Sequence, residues 1–379
     1  MNRLRPLSPL QRRVLMPRLR RPDLWLIGAA AALVGIGVVM VFSVSYFHAQ
    51  DRFGDPLLFF RKHLVALACG AVLFAAASCL RIDFLERGAN AIFLGTLLLL
   101  VAVLLPDVGI ERGGAQRWLR FGGFSLQPTE FAKLGVVLFA ARWISTRRDE
   151  IRDFRRGILP LLAVVGVCSA LVMMQPDFGT TAILGALTLL MLFAGGARPM
   201  QMTGLVFVGI GLLAAGAVAA PYRMRRLLAF LDPWQQSQEG GFQLVQSLIA
   251  FGSGGLSGVG LGNSRQKLHF LPEAHTDFVF ALVGEELGLV GALTVLLLFA
   301  FVAFRGYRIA ARHPDSFGSL LAFGLTSVIV LGAVVNVGVV LGVLPTKGLA
   351  LPFVSYGGSA LLSSMLQIGI LAALSRMTG

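Results

Sequence analysis

The chain has 379 residues, 56% of them hydrophobic, and its mean hydropathy of +0.78 is too high for a soluble protein of this size. This composition predicts many membrane spans rather than one water-facing domain. The formal net charge is +14, but the basic residues fall in short clusters between apolar runs. That distribution fits the positive-inside rule better than a nucleic-acid surface, because no basic stripe interleaved with aromatic residues is present.

Apolar runs of roughly 20 residues divide the chain into ten predicted transmembrane helices. They lie at residues 24–46, 62–80, 89–105, 129–145, 158–174, 179–196, 202–220, 277–304, 317–343 and 359–375. If the N-terminal tail is cytoplasmic, the inside loops hold 20 of the 33 Lys and Arg residues and the outside loops hold 12. We therefore predict an all-α integral membrane fold with both termini cytoplasmic.

The predicted spans organise the chain into a membrane domain with two tails. A basic cytoplasmic tail at 1–23 precedes the membrane domain at 24–375, and a short cytoplasmic tail follows at 376–379. The segment 221–276, between the seventh and eighth helices, is a large extracytoplasmic loop. Its first part, PYRMRRLLAFLDPW, predicts a short helix in the lipid headgroup layer, and residues 241–251 predict a second interfacial or re-entrant helix.

The outside segment 106–133 contains Arg117 and ends in a predicted helix start at Pro128. Glu130 falls in the first turn of this helix. Lys133 follows Glu130 by three residues, so the two side chains can pair on one helix face. The spacing alone leaves two functions open, a structural ion pair and a pair that faces a substrate.

Residues 175–181, QPDFGTT, interrupt a long apolar run. Pro176 breaks the helix, and Asp177 can cap the next one. An acid at this depth can equally organise a cavity, so the sequence leaves a helix cap and a functional carboxylate open.

The stretch 252–288 combines a glycine-rich loop with charged residues in apolar sequence. The glycines follow no predicted strand and precede no Gly-Lys-Ser/Thr, so they do not predict a nucleotide P-loop. Their backbone amides can instead cradle a phosphate beside Arg265 and Lys267. Asp277 follows Thr276 at the mouth of the eighth helix, where helix capping is the structural alternative to catalysis.

Glu285 and Glu286 lie inside the predicted eighth helix. Charge within membrane-like sequence is costly and usually marks function. Successive residues of an ideal helix point about 100° apart, so only one of the two is expected to face a cavity.

The last outside loop, 344–358, is rich in Pro and Gly, which predicts a fixed irregular path inside the protein or along a cavity. Asn336, in the preceding helix, is expected to hydrogen-bond between segments. The chain has 29 arginines and only four lysines, and three of the lysines (Lys133, Lys267 and Lys347) lie in the segments described above. A compact ammonium is therefore favoured at these places.

These segments together resemble the SEDS family of bacterial membrane proteins, and the match spans nearly the whole chain in order. The motifs that carry it are GGAQRW (113–118), QPTEFAK (127–133), QPDFGT (175–180), GFQLVQSLIAFGSGG (241–255), GLGNSRQKLHFLPEAHTDFVFALVGEELG (260–288) and LPTKGLALPFVSYGGS (344–359). Within the family, LPTKGL and the arginine-rich PYRMRRLLAFLDPW are more similar to division-type than to elongation-type members. The short tail after Leu374 departs from many division-type members.

The resemblance implies a ten-helix peptidoglycan glycosyltransferase of the bacterial inner membrane, which polymerises lipid II at the outer face and at the division septum. It implies that Asp277, in the HTDF motif, is the catalytic general base. A carboxylate in reach of the attacking sugar hydroxyl can take its proton, and cations can stabilise the leaving pyrophosphate. The candidate substrate-binding residues are Arg117, Lys133, Gln246, Ser264, Arg265, Lys267 and Lys347. The candidate supporting residues are Glu130, Asp177, His275, Thr276, Glu286, Ser355 and Tyr356.

The resemblance also implies partners. These are a class B penicillin-binding protein that cross-links the product, other divisome or elongasome membrane proteins, and membrane lipids, with no nucleic acid. A divalent cation such as Mg²⁺ or Mn²⁺ could assist the leaving group, although no ligand cluster in the sequence requires one.

Three alternatives to a septal polymerase stay open. One is a transporter that flips lipid II across the membrane, since intramembrane acids and broken helices suit that function as well. Another is a non-catalytic scaffold that recruits the penicillin-binding protein, and the third is an elongation-type polymerase. The charged constellation lies at the outer mouth of the predicted bundle, which favours the enzyme over a transporter with a site near the midplane.

Overall fold

The computed structural model describes residues 21–112, 114–121, 124–218, 221–235, 241–267, 271 and 275–378. Most of the predicted N-terminal tail, residues 1–20, lies outside this range. The described chain is predominantly helical, as predicted. Its helices are α1 (Leu24–Phe53), α2 (Leu58–Ser78), α3 (Ile82–Ala102), α4 (Pro128–Thr146), α5 (Leu159–Met174), α6 (Phe178–Ala194), α7 (Pro199–Val218), α8 (Pro221–Leu231), α9 (Phe242–Gly254), α10 (Val279–Arg312), α11 (Ser316–Val340) and α12 (Gly358–Ser375).

Eight helical segments among the described residues are long and apolar enough to cross a membrane. They are α1, α2, α3, α5 with its preceding π-turn (Phe154–Met174), α7, α10, α11 and α12. The helix α6 has 17 residues and is shorter than a full span. The helix α4 contains Glu130, Lys133 and Arg142, which lower its apolar character. The two predicted spans outside the group of eight are therefore the ones that carry charge or begin at the QPDFGTT break.

The large loop between α7 and α10 contains two short helices, α8 and α9, at the positions that the sequence predicts. The helix α8 places three arginines among leucines, and α9 is apolar. Leu244 and Ala250 of α9 are buried, because this helix packs along α10. The second predicted helix is therefore part of the folded bundle rather than a free surface element.

A three-stranded antiparallel sheet follows α3, and the all-α prediction did not include it. Its strands are β1 (Gly109–Arg112), β2 (Ala115–Phe121) and β3 (Phe124–Leu126), in the order β1-β2-β3. Phe121 pairs with Phe124, and Arg112 pairs with Ala115. In the sequence each of these pairs encloses a Gly-Gly dipeptide, which is a signal for two-residue hairpins. The sequence contains this signal, but no strands were predicted for the outside segment 106–133.

The helix α10 is broken at Gly288, where the sequence predicts a continuous helix. Gly288 has φ 66° and ψ −164°, which is a conformation that favours glycine. The freed carbonyls of Glu285 and Glu286 accept hydrogen bonds from Val259 N (2.9 Å) and Gly260 N (3.1 Å) of the glycine-rich loop. The broken backbone is therefore satisfied inside the protein, as irregular backbone at membrane depth must be.

The core of the bundle lies along α4 and α11. Most residues of both helices are buried, and α4 packs against α3 while α11 packs against α4 and α10. The helix α12 packs along α2. This packing brings the N-terminal ends of α2, α4, α6 and α12 to the same end of the bundle as the sheet, and the site described next lies there.

Candidate active site

A cavity of about 780 Å³ lies at the end of the bundle where α2, α4, α6 and α12 begin. The sheet, the end of α1 and the segments that precede α10 and α12 complete its walls. Seven of the predicted site residues line it, namely Arg117, Glu130, Asp177, His275, Thr276, Asp277 and Tyr356. The fold thus brings together segments that are up to 239 positions apart in the sequence, from Arg117 to Tyr356.

Asp277 lies in this cavity immediately before α10. Its backbone carbonyl accepts a hydrogen bond of 2.8 Å from Nδ2 of Asn336, and the same Nδ2 donates to the carbonyl of Leu349. Asn336 therefore ties the start of α10 to the last loop, as expected for a residue that bonds between segments. A Cβ atom on Gly348 would lie 2.7 Å from Oδ2 of Asp277. The Asp277 carboxylate consequently packs against this loop, and only glycine leaves room for it.

Asp277 is not the residue that caps α10. The N-cap position is occupied by Phe278, and no side chain forms a capping hydrogen bond there. The helix start therefore does not explain why an aspartate stands at this position. Asp277 instead lines the cavity.

Glu130 and Lys133 form the predicted ion pair on the first turns of α4. Nζ of Lys133 donates to Oε1 of Glu130 at 2.8 Å, and the side chains are 9% and 14% exposed. Glu130 lines the cavity, and it also lines a smaller void together with Lys133. The pair therefore places a largely buried carboxylate at the cavity wall. The positive charge of Lys133 compensates part of its negative charge.

Asp177 caps α6 and also lines the cavity, so its position is compatible with both alternatives that the sequence left open. Its Oδ1 accepts from the backbone N of Thr180 at 3.0 Å and its Oδ2 accepts from the Thr180 hydroxyl at 2.7 Å, so it caps α6. It also lines the cavity, and Nζ of Lys347 lies 3.9 Å from its Oδ1. Capping and cavity formation are therefore compatible at this position.

Lys347, in the last loop, does not line the cavity itself but lies next to Asp177, which does. Its side chain lies against Gly179, in the first turn of α6, and its Nζ is buried without a hydrogen-bond partner among the described residues. Burial lowers the pKa of this amine from its ordinary value to about 8. Asp177 opposes the shift, while the nearby Lys133 cation adds to it. A buried ammonium that lacks a hydrogen-bond partner is suited to bind an anionic ligand.

Arg117 joins the sheet to the turn between α5 and α6. Its Nε donates to the carbonyl of Gln175 and its Nη2 to that of Pro176, both at 2.7 Å. The guanidinium thus has a structural role at the QPDFGTT break, and it lines the cavity as well. These bonds hold its positive charge in a fixed place.

The last loop is attached to the segment before α10 by backbone bonds. The N–H of Tyr356 donates to the carbonyl of His275 at 2.9 Å. Ser355 is buried and accepts from the backbone N of Leu351 at 2.8 Å, so it stabilises the turn within the loop and does not line the cavity. These hydrogen bonds, one to the segment before α10 and one within the loop, hold the irregular path predicted for residues 344–358.

Three other predicted residues, Ser264, Lys267 and Glu286, belong to a second buried cluster between α1, the glycine-rich loop and α10. Nζ of Lys267 lies 3.2 Å from Oε1 of Glu286, and the hydroxyl of Ser43 donates to the same carboxylate at 2.8 Å. Glu285 accepts hydrogen bonds from the hydroxyl of Ser264 and the backbone N of Arg265. Neither glutamate lines the cavity, although one of them was expected to face it.

The side chains of Arg265 and Gln246 also stand apart from the cavity. Arg265 is exposed at the edge of the second cluster, and Gln246 is half-buried on α9. Neither lines the cavity. Their prediction as substrate contacts therefore has no support from the geometry of this cavity.

Four cavity residues on α2 were not predicted, namely Phe59, Lys62, His63 and Ala66. His63 is buried, and its ring nitrogens have no hydrogen-bond partner among the described residues. The available signal was the run Arg61-Lys62-His63 at the start of an otherwise apolar helix. The second predicted helix begins at residue 62, so this run lay at its boundary and was not singled out.

Within the described part of the chain, no group of three or more His, Cys, Asp or Glu side chains gathers as metal ligands would. Asp277, Asp177 and Glu130 line one cavity but do not form such a group.

Comparison with known proteins identifies the family. Residues 24–379 match the family model of FtsW, RodA and SpoVE, described as "Cell cycle protein". The chain belongs to this SEDS family. It is 42% identical over 369 residues to a probable peptidoglycan glycosyltransferase FtsW from Geobacter metallireducens, covering 96% of this chain and 97% of the relative. It is 39% identical over 357 residues to stage V sporulation protein E from Bacillus subtilis, covering 94% and 97%.

Solved structures share the fold of this SEDS chain. A chain from a peptidoglycan synthase complex, studied for its coordination of polymerization and crosslinking, matches with a TM-score of 0.76 and 28% identity, covering 94% of this chain and 98% of that one. The rod shape determining protein RodA of Thermus thermophilus matches with a TM-score of 0.71 and 27% identity, covering 96% and 99%. The membrane fold is therefore RodA-like.

Proposed function

We propose that this chain is a peptidoglycan glycosyltransferase that polymerises lipid II into glycan strands, with Asp277 as its general base. The observation that carries the proposal is the cavity that Asp277 lines together with Arg117, Glu130 and Asp177. The FtsW relative at 42% identity is named for this activity and matches almost the whole chain, which supports the same activity here.

The reaction joins two sugars. The 4-hydroxyl of an acceptor N-acetylglucosamine attacks the anomeric carbon of the donor, and the bond from that carbon to the pyrophosphate oxygen breaks. The carboxylate of Asp277 takes the hydroxyl proton as the new glycosidic bond forms. The pyrophosphate leaves with the bonding electron pair, so negative charge develops on it in the transition state.

The charged wall of the cavity suits this leaving group. Lys347 has a buried Nζ without a hydrogen-bond partner among the described residues, so a phosphate oxygen can become its partner. Two backbone carbonyls fix the guanidinium of Arg117, which adds positive charge at the cavity wall. Cations held in place before the reaction stabilise developing charge without reorganising. The carboxylates of Asp177 and Glu130 offset part of this positive charge when no substrate is bound.

A pH dependence follows from the lowered pKa of Lys347. Its charged form predominates below about pH 8 and is lost above it. If the ammonium binds the pyrophosphate, kcat/KM for polymerisation should fall as the pH rises through about 8, because kcat/KM reports groups of the free enzyme. In Lys347→Arg the guanidinium stays charged, so the fall should be absent or move to higher pH. A fall near pH 8 that persists unchanged in Lys347→Arg would exclude Lys347 as its source.

The membrane placement completes the proposal. All ten long helices cross the inner membrane, α4 and α6 included, because neighbouring helices bury their charged and short segments. With both termini cytoplasmic, the cavity lies at the outer face, where the sugars of lipid II are presented. The similarity to FtsW supports a location at the division septum. An elongation-type role along the side wall is the alternative, and fluorescence microscopy of the tagged protein separates the two.

The partner is a class B penicillin-binding protein that cross-links the new strands. The structural similarity to a chain of a peptidoglycan synthase complex supports this pairing. Other divisome membrane proteins and the surrounding lipids complete the environment of the chain.

Lipid II translocation is a second candidate function, and the broken helix favours it. The break at Gly288 resembles the discontinuous helices of transporters. Here, however, the freed carbonyls of Glu285 and Glu286 are satisfied by the glycine-rich loop, so they do not face an ion pathway.

One experiment tests the enzyme against the alternatives. The purified protein, with and without its penicillin-binding partner, is incubated with lipid II, and glycan strands are resolved by gel electrophoresis. We expect strands whose formation requires this protein. In parallel, sealed vesicles containing the protein and labelled lipid II are assayed for translocation. Translocation without polymerisation would overturn the proposal in favour of a transporter, and neither activity would favour a scaffold.

A further inference from the structure

A cluster of four aromatic rings forms the wall of the cavity next to α2. The ring centroid of Phe59 lies 5.3 Å from that of His275 and 5.4 Å from that of Tyr356. The rings of His275 and Tyr356 are 5.6 Å apart, and His63 lies 6.1 Å from Tyr356. All four residues line the cavity. The mechanism proposed above uses none of these side chains.

His63 is the informative member of this cluster. It is 1% exposed, and neither Nδ1 nor Nε2 has a hydrogen-bond partner among the described residues. A buried polar group without a partner costs free energy, so a neutral imidazole at the wall of a cavity is satisfied best by a ligand. The ring can donate from one nitrogen and accept at the other.

The combination of rings and a free imidazole favours a sugar. A pyranose ring has an apolar face of C–H groups that packs on aromatic rings, and its hydroxyl and acetamido groups both donate and accept hydrogen bonds. Pockets of this kind use apolar walls for contact and a few polar groups for orientation. A pyrophosphate, in contrast, would favour the cations Lys347 and Arg117.

Asp277 is close to residues of both groups, the aromatic rings and the cations. It follows His275 by two residues, and its carboxylate packs against Gly348, the residue after Lys347. A sugar on the aromatic wall therefore lies near the carboxylate that takes the hydroxyl proton. The sugar whose hydroxyl loses its proton is the acceptor, whereas the donor sugar is attached to the pyrophosphate.

We propose that Phe59, His63, His275 and Tyr356 form the subsite for the acceptor N-acetylglucosamine, with His63 hydrogen-bonding the sugar. This assignment rests on the proposed function, because it takes lipid II as the substrate. It makes His63 a specificity-determining residue, and it separates the cavity into an acceptor half and a donor half.

The test is a single transfer between two lipid II analogues. The donor carries a methylated 4-hydroxyl and cannot act as acceptor, and the acceptor has a methylene in place of the oxygen between the anomeric carbon and the pyrophosphate. In His63→Phe, which keeps a ring and removes both nitrogens, we expect the acceptor KM to rise about tenfold, the effect of one lost hydrogen bond. The donor KM should change by less than about twofold.

Stability separates a binding role from a structural one. Because His63 has no described partner within the protein, His63→Phe should leave the thermal unfolding temperature unchanged or raise it. His63→Gln keeps a donor and an acceptor and should restore part of the acceptor affinity. Phe59→Leu should raise the acceptor KM, whereas Phe60→Leu, at the neighbouring position outside the cavity and paired with Phe42 at 5.1 Å, should not. Equal changes in donor and acceptor KM, or no change in either, would overturn the proposal.

A binding measurement keeps this subsite testable apart from catalysis. The wild-type protein should bind the acceptor analogue more tightly than undecaprenyl pyrophosphate, which has no sugar, and His63→Phe should narrow that difference. An unchanged difference would overturn the subsite even if transfer proceeds. Absence of transfer with a difference that depends on His63 would overturn the proposed function and leave a sugar-binding site.

Discussion

Replacing Asp277 by asparagine is expected to lower the rate of lipid II polymerisation by about 10²- to 10⁴-fold, which is the contribution of a positioned general base. Asparagine has nearly the same shape but cannot accept the proton of the attacking hydroxyl. The measurement is the initial rate of polymerisation by purified protein at saturating lipid II. Binding of lipid II should change little, because the carboxylate acts on the proton, whereas the cations Lys347 and Arg117 hold the pyrophosphate.

The control for this substitution is Asp315→Asn. Asp315 caps α11 through Gly318 N at 3.1 Å and does not line the cavity. Asparagine is as good a cap as aspartate, so this variant should keep both its stability and its activity. Asp277→Asn should also unfold at the wild-type temperature, since Phe278 holds the N-cap position of α10. An Asp277→Asn protein that inserts normally and polymerises at the wild-type rate would refute the assignment of the base.

Replacing Lys267 by methionine is expected to destabilise the folded protein by about 3–5 kcal/mol, because it leaves a buried carboxylate without its counter-charge. The side chains of Lys267 and Glu286 are 2% and 0% exposed, and Nζ lies 3.2 Å from Oε1. The same Nζ donates to the carbonyl of Gly262, so the loss also loosens the glycine-rich loop. Thermal or denaturant unfolding in detergent measures the effect.

A double-mutant cycle distinguishes structure from substrate binding at this pair. Lys267→Met with Glu286→Gln removes both charges, and the stability of the double variant should recover most of the loss. If Lys267 acts only through Glu286, polymerisation should recover with stability. Recovery of stability without recovery of activity would instead support the sequence prediction that Lys267 contacts the substrate. No recovery of stability would contradict the role of the ion pair.

The buried pair also shows why charge in apolar sequence did not by itself identify the site. Glu285 and Glu286 were expected to mark function because burying charge is costly. In the structure, partners from other segments offset this cost, namely Lys267 and Ser43 for one carboxylate and Ser264 for the other. Glu130 and Asp177 carry the same sequence signal, yet they line the cavity. Only the packing of distant segments separates the two cases.

The sequence by itself determined the features that depend on neighbouring residues. The apolar runs placed the long helices, and the Arg-rich and apolar stretches placed α8 and α9 within the large loop. The i, i+3 spacing of Glu130 and Lys133 predicted their ion pair, which has an N–O distance of 2.8 Å. The motifs, in their order along the chain, identified the family. Helical periodicity and local charge pairs are set within a few residues, so one sequence is enough to recognise them.

Only the tertiary structure decided which of the marked residues meet. It placed Lys347 beside Asp177 and Lys267 beside Glu286, although both lysines had the same predicted role. It also added His63, from a helix with no marked motif, to the wall of the cavity. These contacts join positions up to 293 residues apart, from His63 to Tyr356, and they depend on how the helices pack. A local pattern cannot encode which of several buried cations will face a cavity, because that choice belongs to the packing of the whole bundle.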